Sequence, residues 1–552
     1  MCLHQSKLGY GVVVSTLLLA GACSHRSTGA SIQAGVPPLL VSDPQLVPNP
    51  NPAVPLAALL SVTTDVPTQV EVRIADSTHE WSVVADKELK TVHERVPILG
   101  LRPGREHTIT VTVRDSKGQS TSTSKPFRYT TPALPIGFPP IQVTTSKPER
   151  MASGLTLFTI NAPKFGDVLV MLDAAGEVVW YFRDPKMAVP EYRSFIAFPQ
   201  PNGTLLLIVD REALLEIDVL GNVLNGWSAT GRGQAISGPI PIPIDSFHHD
   251  IVPLPHGDPA DFVVLSTEVR TLPNYPSSVL TISETDPEAD VVGDKIVEFR
   301  RDGTIVREFK LLDLLDPYRM CYDSLGGFWS DFYQRRTRDW SHANGIAYSA
   351  SDDSYLVTLR HQDVVLKLDR ATGSVKWLLG DPARWVAPWD RLLLVPSGAG
   401  LAWPYHLHAP QIEPDGRMLV FDNGNSRAIP PAPSMAFSES YSRAVEFTVA
   451  AASGTVRQDW AYGSPPPGTG QAPSFYTAFA GSARHLAETG NVLICDGARI
   501  ASPATGQTYA RIAEVTHEGS SELVFEVLIR DASSEARSYW VYRAERIPSF
   551  YR

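Results

Sequence analysis

Pro414-Asp415-Gly416, then Met418-Leu419-Val420-Phe421, Ala444-Val445-Glu446-Phe447 and Gly454, form a phrase that this chain repeats. The phrase is a glycine turn, an apolar strand, a second strand, another glycine turn and a strand carrying Trp or Phe. Searching outward from it for a period finds five more copies. Val168-Leu169-Val170-Met171-Leu172-Asp173, Gly176 and Val179-Trp180-Tyr181-Phe182 make the first. Pro201-Asn202-Gly203, Leu205-Leu206-Leu207-Ile208, Ile217-Asp218 and Gly221 make the second. The third holds Pro255-His256-Gly257, Phe262-Val263-Val264-Leu265, Ile296-Val297-Glu298-Phe299 and Asp302-Gly303. The fourth holds Tyr355-Leu356-Val357-Thr358, Val365-Leu366-Lys367-Leu368-Asp369, Gly373 and Trp377, and the phrase quoted above is the fifth. Gly490, Val492-Leu493-Ile494, Ile512-Ala513-Glu514-Val515 and Gly519 make the sixth. Six copies of a four-stranded unit over residues 141–552 predict an all-β chain closed as a six-bladed β-propeller. Each blade must be covered by its neighbours, which also protects the strand edges. A solenoid or two sandwiches account less well for the Asp-x-x-Gly turns.

Residues 37–134 form a different unit. Val70-Glu71-Val72-Arg73-Ile74 and Thr108-Ile109-Thr110-Val111-Thr112-Val113 alternate apolar and polar residues, as half-buried strands do. Leu99-Gly100-Leu101-Arg102-Pro103-Gly104 resembles the corner of a fibronectin III or Ig-like sandwich, so a small β-sandwich is expected here. The proline-rich stretch 132–140 then reads as a linker. At the start, Lys7 precedes an apolar run, Gly11 to Ala22, too short to span a bilayer. Residues 1–22 are therefore expected to be an export signal. Leu19-Ala20-Gly21-Ala22-Cys23 resembles a lipoprotein cleavage box, making Cys23 the expected lipid attachment point and 23–36 a tether; plain secretion is the alternative. The expected location is the periplasm or an outer-membrane anchor, with no other membrane contact. Beyond the leader only Cys321 and Cys495 remain. Export permits a disulfide between them, while two separate buried thiols is the reading preferred here.

Composition excludes several function classes. Of 552 residues, 19% are charged and the net charge is -11, which argues against a nucleic-acid binder. There is no phosphate loop, no dinucleotide-binding glycine fingerprint and no Cys-x-Pro-x-Arg segment of a formylglycine sulfatase.

What remains is a histidine register. The innermost strands of a propeller converge on one channel. Eight residues before the turn glycine lie Phe195, His249, His408 and Ser482 in four of the blades. In the fourth blade, whose turn is longer, the equivalent is His342 within Trp340-Ser341-His342-Ala343-Asn344-Gly345. With 14 His in 552 residues, three in one register of six point to a shared site rather than three unrelated structural side chains. Three His might suggest zinc, but no carboxylate shares the register. Arg360, at the end of Leu356-Val357-Thr358-Leu359, would repel a cation and hold an oxyanion through its planar donors. No metal and no cofactor are therefore expected. Trp340, Trp403 and Tyr405 are open to two readings, stacking on an aromatic substrate or packing between blades; Arg427 is likewise open to a site role or a salt bridge. Asp422-Asn423-Gly424-Asn425 lacks the spacing of a calcium loop and reads as a tight turn.

Phe247-His248-His249-Asp250, Ser341-His342-Ala343-Asn344-Gly345, His408 with Phe421-Asp422-Asn423-Gly424-Asn425, and Leu493-Ile494-Cys495-Asp496-Gly497 together resemble the bacterial aryl-sulfate sulfotransferases that work without a nucleotide donor. The resemblance implies an exported enzyme, in some members a homodimer, that moves a sulfuryl group from a phenolic sulfate donor to a phenolic acceptor. It implies His408 as the nucleophile, giving a sulfohistidine and ping-pong kinetics. His342, Asn344 and Arg360 would clamp the sulfuryl oxygens, and His249 would serve as acid and base. His248 and Tyr542 are further substrate-binding candidates; His249 is preferred to His248 for catalysis because it holds the register. One branch of the family carries a short-range disulfide at the site, which this chain lacks. A sulfate-ester hydrolase and a non-catalytic binding propeller are the alternatives.

Overall fold

The computed structural model describes residues 36–184, 195–233, 240–413, 415–463, 475–502, 506–531 and 537–551. The expected signal, Cys23 and most of the tether lie outside the described residues. Strands dominate, with only short helical turns between them. Among the described residues no helix is long and apolar enough to cross a membrane.

The N-terminal unit is built from Gln45–Pro48, Ala58–Ala75, Glu80–Ile98, Glu106–Asp115, Ser120–Ser122 and Phe127–Thr130. Its strands belong to one hydrogen-bonded sheet in which Glu80–Ile98 and Phe127–Thr130 branch off the main path, with register shifts along the two long strands. Ala58, Leu60 and Val62 from the first half of one long strand and Val70, Val72 and Ile74 from its second half face the same core as Ile109, Val111 and Val113. The alternation in the sequence is this inward and outward alternation. The predicted corner docks onto the propeller: Arg102 donates from Nε and Nη2 to Asp173 Oδ2 at 3.1 and 2.6 Å.

Six four- or five-stranded sheets follow. Their central strands are apolar on both faces because both faces are covered. Leu205 and Leu207 point into the core shared with the first blade, whereas Leu206 and Ile208 point into the core shared with the third. The same division recurs around the ring, so each interblade core is lined by two successive sheets. The turns follow the Asp-x-x-Gly pattern. Asp218 Oδ1 accepts from the backbone N–H groups of Leu220 and Asn222 at 2.9 and 2.8 Å, and Gly221 at φ +82 takes the left-handed position.

The ring closes twice. Ile141–Ser146 pairs with Leu523–Ile529 as the outer strand of the sixth blade, and Trp540–Ile547 pairs with Leu155–Asn161 as the inner strand of the first. The C-terminal strand thus brings Tyr542 and Arg543 to the channel. Arg543 forks onto Asp250 of the third blade, Nη1 to Oδ1 at 2.9 Å and Nη2 to Oδ2 at 2.8 Å. Asp250 Oδ2 also accepts from Ile346 N in the fourth blade at 3.0 Å, so one carboxylate ties three blades together. Cys321 and Cys495 are both free and buried, in different clusters. Burial pushes the Cys321 thiol up to about 12.

Candidate active site

The inner strands His248–Pro253, Ala343–Ser349 and His408–Ile412 each begin with a β-bulge. His249, His342 and Ala409 have φ of 56, 46 and 52°, a left-handed region that costs non-glycine residues. The bulges turn the entry residues toward the channel instead of along the ladder. The result is a cavity of about 860 Å³ lined by His248, His249, His342, Arg360, His408 and Tyr542 among others. Of the residues singled out from sequence, Asn344 does not line it. Asn344 is fully buried one layer behind: its Oδ1 accepts from Thr358 at 2.7 Å, its backbone O accepts from Tyr542 Oη at 2.6 Å, and its Nδ2 has no partner among the described residues.

His408 is the most tightly specified of the set. Its Nδ1 lies 2.6 Å from Asn423 Oδ1. Asn423 cannot present its amide nitrogen there, because Nδ2 already donates to Thr477 O and Ala480 O, both at 2.8 Å. His408 Nδ1 is therefore the protonated nitrogen, and Nε2 carries the lone pair. Burial, then the positive charge of Arg360, hold this imidazole neutral well below the usual histidine range. Asn423 belongs to the turn motif that sequence reading treated as purely structural. With Asn423→Ala we expect kcat to fall about 10–100-fold, the usual cost of losing a side chain that orients a reacting group. The KM for donor should change little; steady-state kinetics of the two proteins checks this.

His249 is oriented by a relay. Asp294 Oδ2 accepts from Ser341 Oγ at 2.6 Å and from Ala343 N at 2.5 Å, and its Oδ1 lies 3.3 Å from His248 Nε2. His248 Nδ1 and His249 Nδ1 lie 2.8 Å apart, one donating to the other. His248 thus contributes to the cavity wall and, through this contact, holds His249. The His249 ring stands 4.9 Å from His342 and 5.7 Å from Tyr542. Burial and then the neighbouring His342 keep it neutral.

The third arm is a network that sequence reading did not find. His342 Nδ1 lies 2.5 Å from Asp339 Oδ2. Burial pushes the Asp339 carboxyl up to about 7 and holds His342 well below its usual range. Arg360 Nη1 donates to His361 Nε2 at 2.5 Å, and His361 Nδ1 donates to Asp339 O at 2.7 Å, so His361 is a neutral spacer. Arg360 Nη2 donates to Ala478 O at 3.3 Å, and Asp323 lies 3.5 Å from Nη1. Behind them His406 sits between Asp363 at 2.9 Å and Asp323 at 3.2 Å. Burial opposes its charge, but the two carboxylates outweigh burial and raise its pKa. None of these three residues shares the strand-entry register; His361 lies in a single 3-10 turn, Asp339 in the two-residue strand Arg338–Asp339 at the edge of the third blade, and His406 two places before His408.

Asp339, His342 and His361 have donor atoms close enough to hold a metal, as do Glu446, His485 and His517 elsewhere. Each group faces an arginine: Arg360 donates to His361, and Arg417 Nη1 lies 3.1 Å from Glu446 Oε2. A fixed guanidinium against either set opposes a divalent cation.

For the three aromatics open to two readings, packing holds. Trp340 is fully buried in the core between the third and fourth blades, Trp403 packs against the core between the fourth and fifth, and Tyr405 donates to Asp381 Oδ2 at 2.6 Å. All three serve packing. The rings that line the cavity are Phe328, Phe332, Phe479, Trp540 and Tyr542, mostly from loops and the closing strand. Phe328 is about half exposed and meets the His342 ring edge-on at 4.8 Å. Arg427 pairs with Asp422 at 3.1 Å, a structural salt bridge.

Residues 46–132 match the arylsulfotransferase Ig-like domain. Arylsulfate sulfotransferase AssT of Escherichia coli O6:H1 is 38% identical over 144 residues, 23% of each chain. The protein of the same name from Lelliottia amnigena is 28% identical over 218 residues, 31% of this chain and 35% of that one. The aligned segments thus span 23% and 35% of the length of these relatives. A crystal structure of a Bacteroides caccae protein of unknown function is similar at a TM-score of 0.36 and 11% identity, covering 71% of this chain and 98% of that one. The propeller itself, over residues 141–543, matches the family described as arylsulfotransferase (ASST), and the chain belongs to that family.

Proposed function

We propose that this protein transfers a sulfuryl group from an aryl sulfate to a phenol, with His408 as the covalent carrier. The observation that carries the reading is the fixed tautomer of His408. Asn423 ties up Nδ1–H, and Nε2 belongs to a neutral imidazole in a cavity that also holds Arg360 and His342. In the first half-reaction Nε2 attacks sulfur, the S–N bond forms, and the S–O bond to the donor's phenolate breaks. A neutral nucleophile avoids repulsion by the anionic ester. Arg360 and His342 stabilise charge on the sulfuryl oxygens, a contribution of about 3 kcal/mol for each well-placed donor.

His249 supplies the proton for the departing phenolate and accepts one from the incoming phenol. Free of substrate it is neutral, and an anionic ester beside it favours the imidazolium needed in the first step. In the second step the phenol oxygen attacks sulfur as His249 Nε2 takes its proton, and the S–N bond to His408 breaks. Splitting the transfer in this way exchanges one difficult step for two easier ones. The apolar run Gly11 to Ala22 and Cys23 support a location outside the cytoplasm, with lipid at Cys23, as part of the same proposal.

The test is release of nitrophenolate from 4-nitrophenyl sulfate with and without added phenol. Release stimulated by phenol, with phenyl sulfate formed in equal amount, is expected. Release indifferent to phenol would instead indicate a hydrolase, and no release would favour a binding propeller. Because His408 is held neutral, the acid limb of kcat/KM for donor should lie well below pH 6.5.

A further inference from the structure

Arg211 stands out in the cavity wall. The hairpin between Leu205–Val209 and Ala213–Ile217 turns through Asp210 and Arg211, with Glu212 N donating to Val209 O at 3.0 Å. Both central residues are left-handed, φ 50 and 64°, the geometry of a type I′ turn. Such turns favour Asn-Gly; a bulky arginine there is strained, and strain of this kind collects at functional sites. Its guanidinium lies 5.2 Å from the centroids of Phe328, Trp329 and Phe332, a cation resting on ring faces. Among the described residues it forms no ion pair and no side-chain hydrogen bond. Of the acids whose charge reaches it, Glu212 is engaged by Arg232, and Asp331 acts from the short helix Ser330–Tyr333. Asp210 flanks it in the turn. Partial burial disfavours its charge and lowers its pKa, against the pull of Asp210 and Glu212.

The position relative to the reacting groups is informative. Arg211 covers Phe328 and Trp329, whose rings pack against His249 at 6.2 Å and His248 at 5.2 Å, so it shares the wall of the group that handles the phenol oxygen. Arg360 stands on the other arm, bonded to His361, whose ring lies 4.5 Å from His342. We propose that Arg211 recognises an anionic substituent on the phenol ring, so that phenols and aryl sulfates bearing a carboxylate or second sulfate are the favoured substrate class. This rests on the sulfuryl-transfer reading for the name of the substrate, but its test does not require turnover.

The experiment is calorimetric binding of 4-hydroxybenzoate and of its methyl ester, which removes the charge from the ligand, to the wild-type protein, Arg211→Gln and Arg211→Lys. The wild type should bind the acid about tenfold more tightly than the ester, the scale of one charge-assisted contact. Arg211→Gln should lose that preference, and Arg211→Lys should keep part of it. Equal binding of acid and ester by the wild type, no measurable binding of either, or a preference unchanged in Arg211→Gln would each overturn the proposal. The wild-type comparison stands even where a variant fails to fold. Failure of sulfuryl transfer alone, with the binding preference intact, would contradict the catalytic reading and not this one.

Discussion

His408→Ala is expected to lower kcat for sulfuryl transfer by roughly 10⁴-fold or more, the scale seen when a covalent nucleophile is removed. The loss should fall on kcat and not on folding. His408 is at the entry of an inner strand, and its side chain is held by Asn423 and by the backbone of His406. Asn423 remains held by Thr477 O and Ala480 O after the change, so the blade contact survives. Donor affinity should also survive, because Arg360 and His342 still face the sulfuryl group. Unfolding midpoint, donor binding and turnover measured on one preparation separate these outcomes. Loss of turnover with binding and midpoint retained is the expected pattern. Retention of turnover within tenfold of wild type would remove His408 from the mechanism.

Arg360→Gln is expected to reduce kcat/KM for donor about 10²–10³-fold, the usual cost of one donor aimed at developing charge. Two effects combine. The guanidinium is positioned by His361 Nε2 and Ala478 O, so its remaining N–H groups are fixed in direction before substrate arrives. Its charge also helps keep His408 neutral, second only to burial. Removing it raises the His408 pKa. The neutral nucleophile is then lost at a higher pH as acid is added, so the acid limb of kcat/KM moves upward. Arg360→Lys should restore the pH profile more fully than the rate, since lysine keeps the charge but not the planar fork. An acid limb that does not move in Arg360→Gln would show that Arg360 acts on the substrate alone.

Much of the architecture could be read in the chain because propeller strands announce themselves twice. Runs such as Leu205-Leu206-Leu207-Ile208 are apolar throughout since successive side chains enter two different interblade cores. The turn glycine then sets the register, and counting back from it reaches His249, His408 and Ser482 at the starts of inner strands. Ring closure was not legible, because pairing between Trp540–Ile547 and Leu155–Asn161 joins opposite ends of the sequence. The groups around the histidines were hidden for a similar reason. Asn423 comes from just past the strand that follows His408, Asp339 from a two-residue edge strand, His361 from a single 3-10 turn, and Arg211 from a two-residue turn. None repeats with the blades. The aromatic wall was left open for a related reason: tryptophans near the motifs are large enough to be recruited into cores, while Phe328 and Phe479 lie on irregular loops with no period to mark them.

The most direct measurement is to mix the protein with 4-nitrophenyl sulfate in the absence of any phenolic acceptor, quench in base and map the peptides by mass. The account predicts a burst of nitrophenolate equal to the enzyme present and one SO₃ group on His408, discharged when phenol is added. Turnover with phenol but no such label, or a label on another residue, would contradict it.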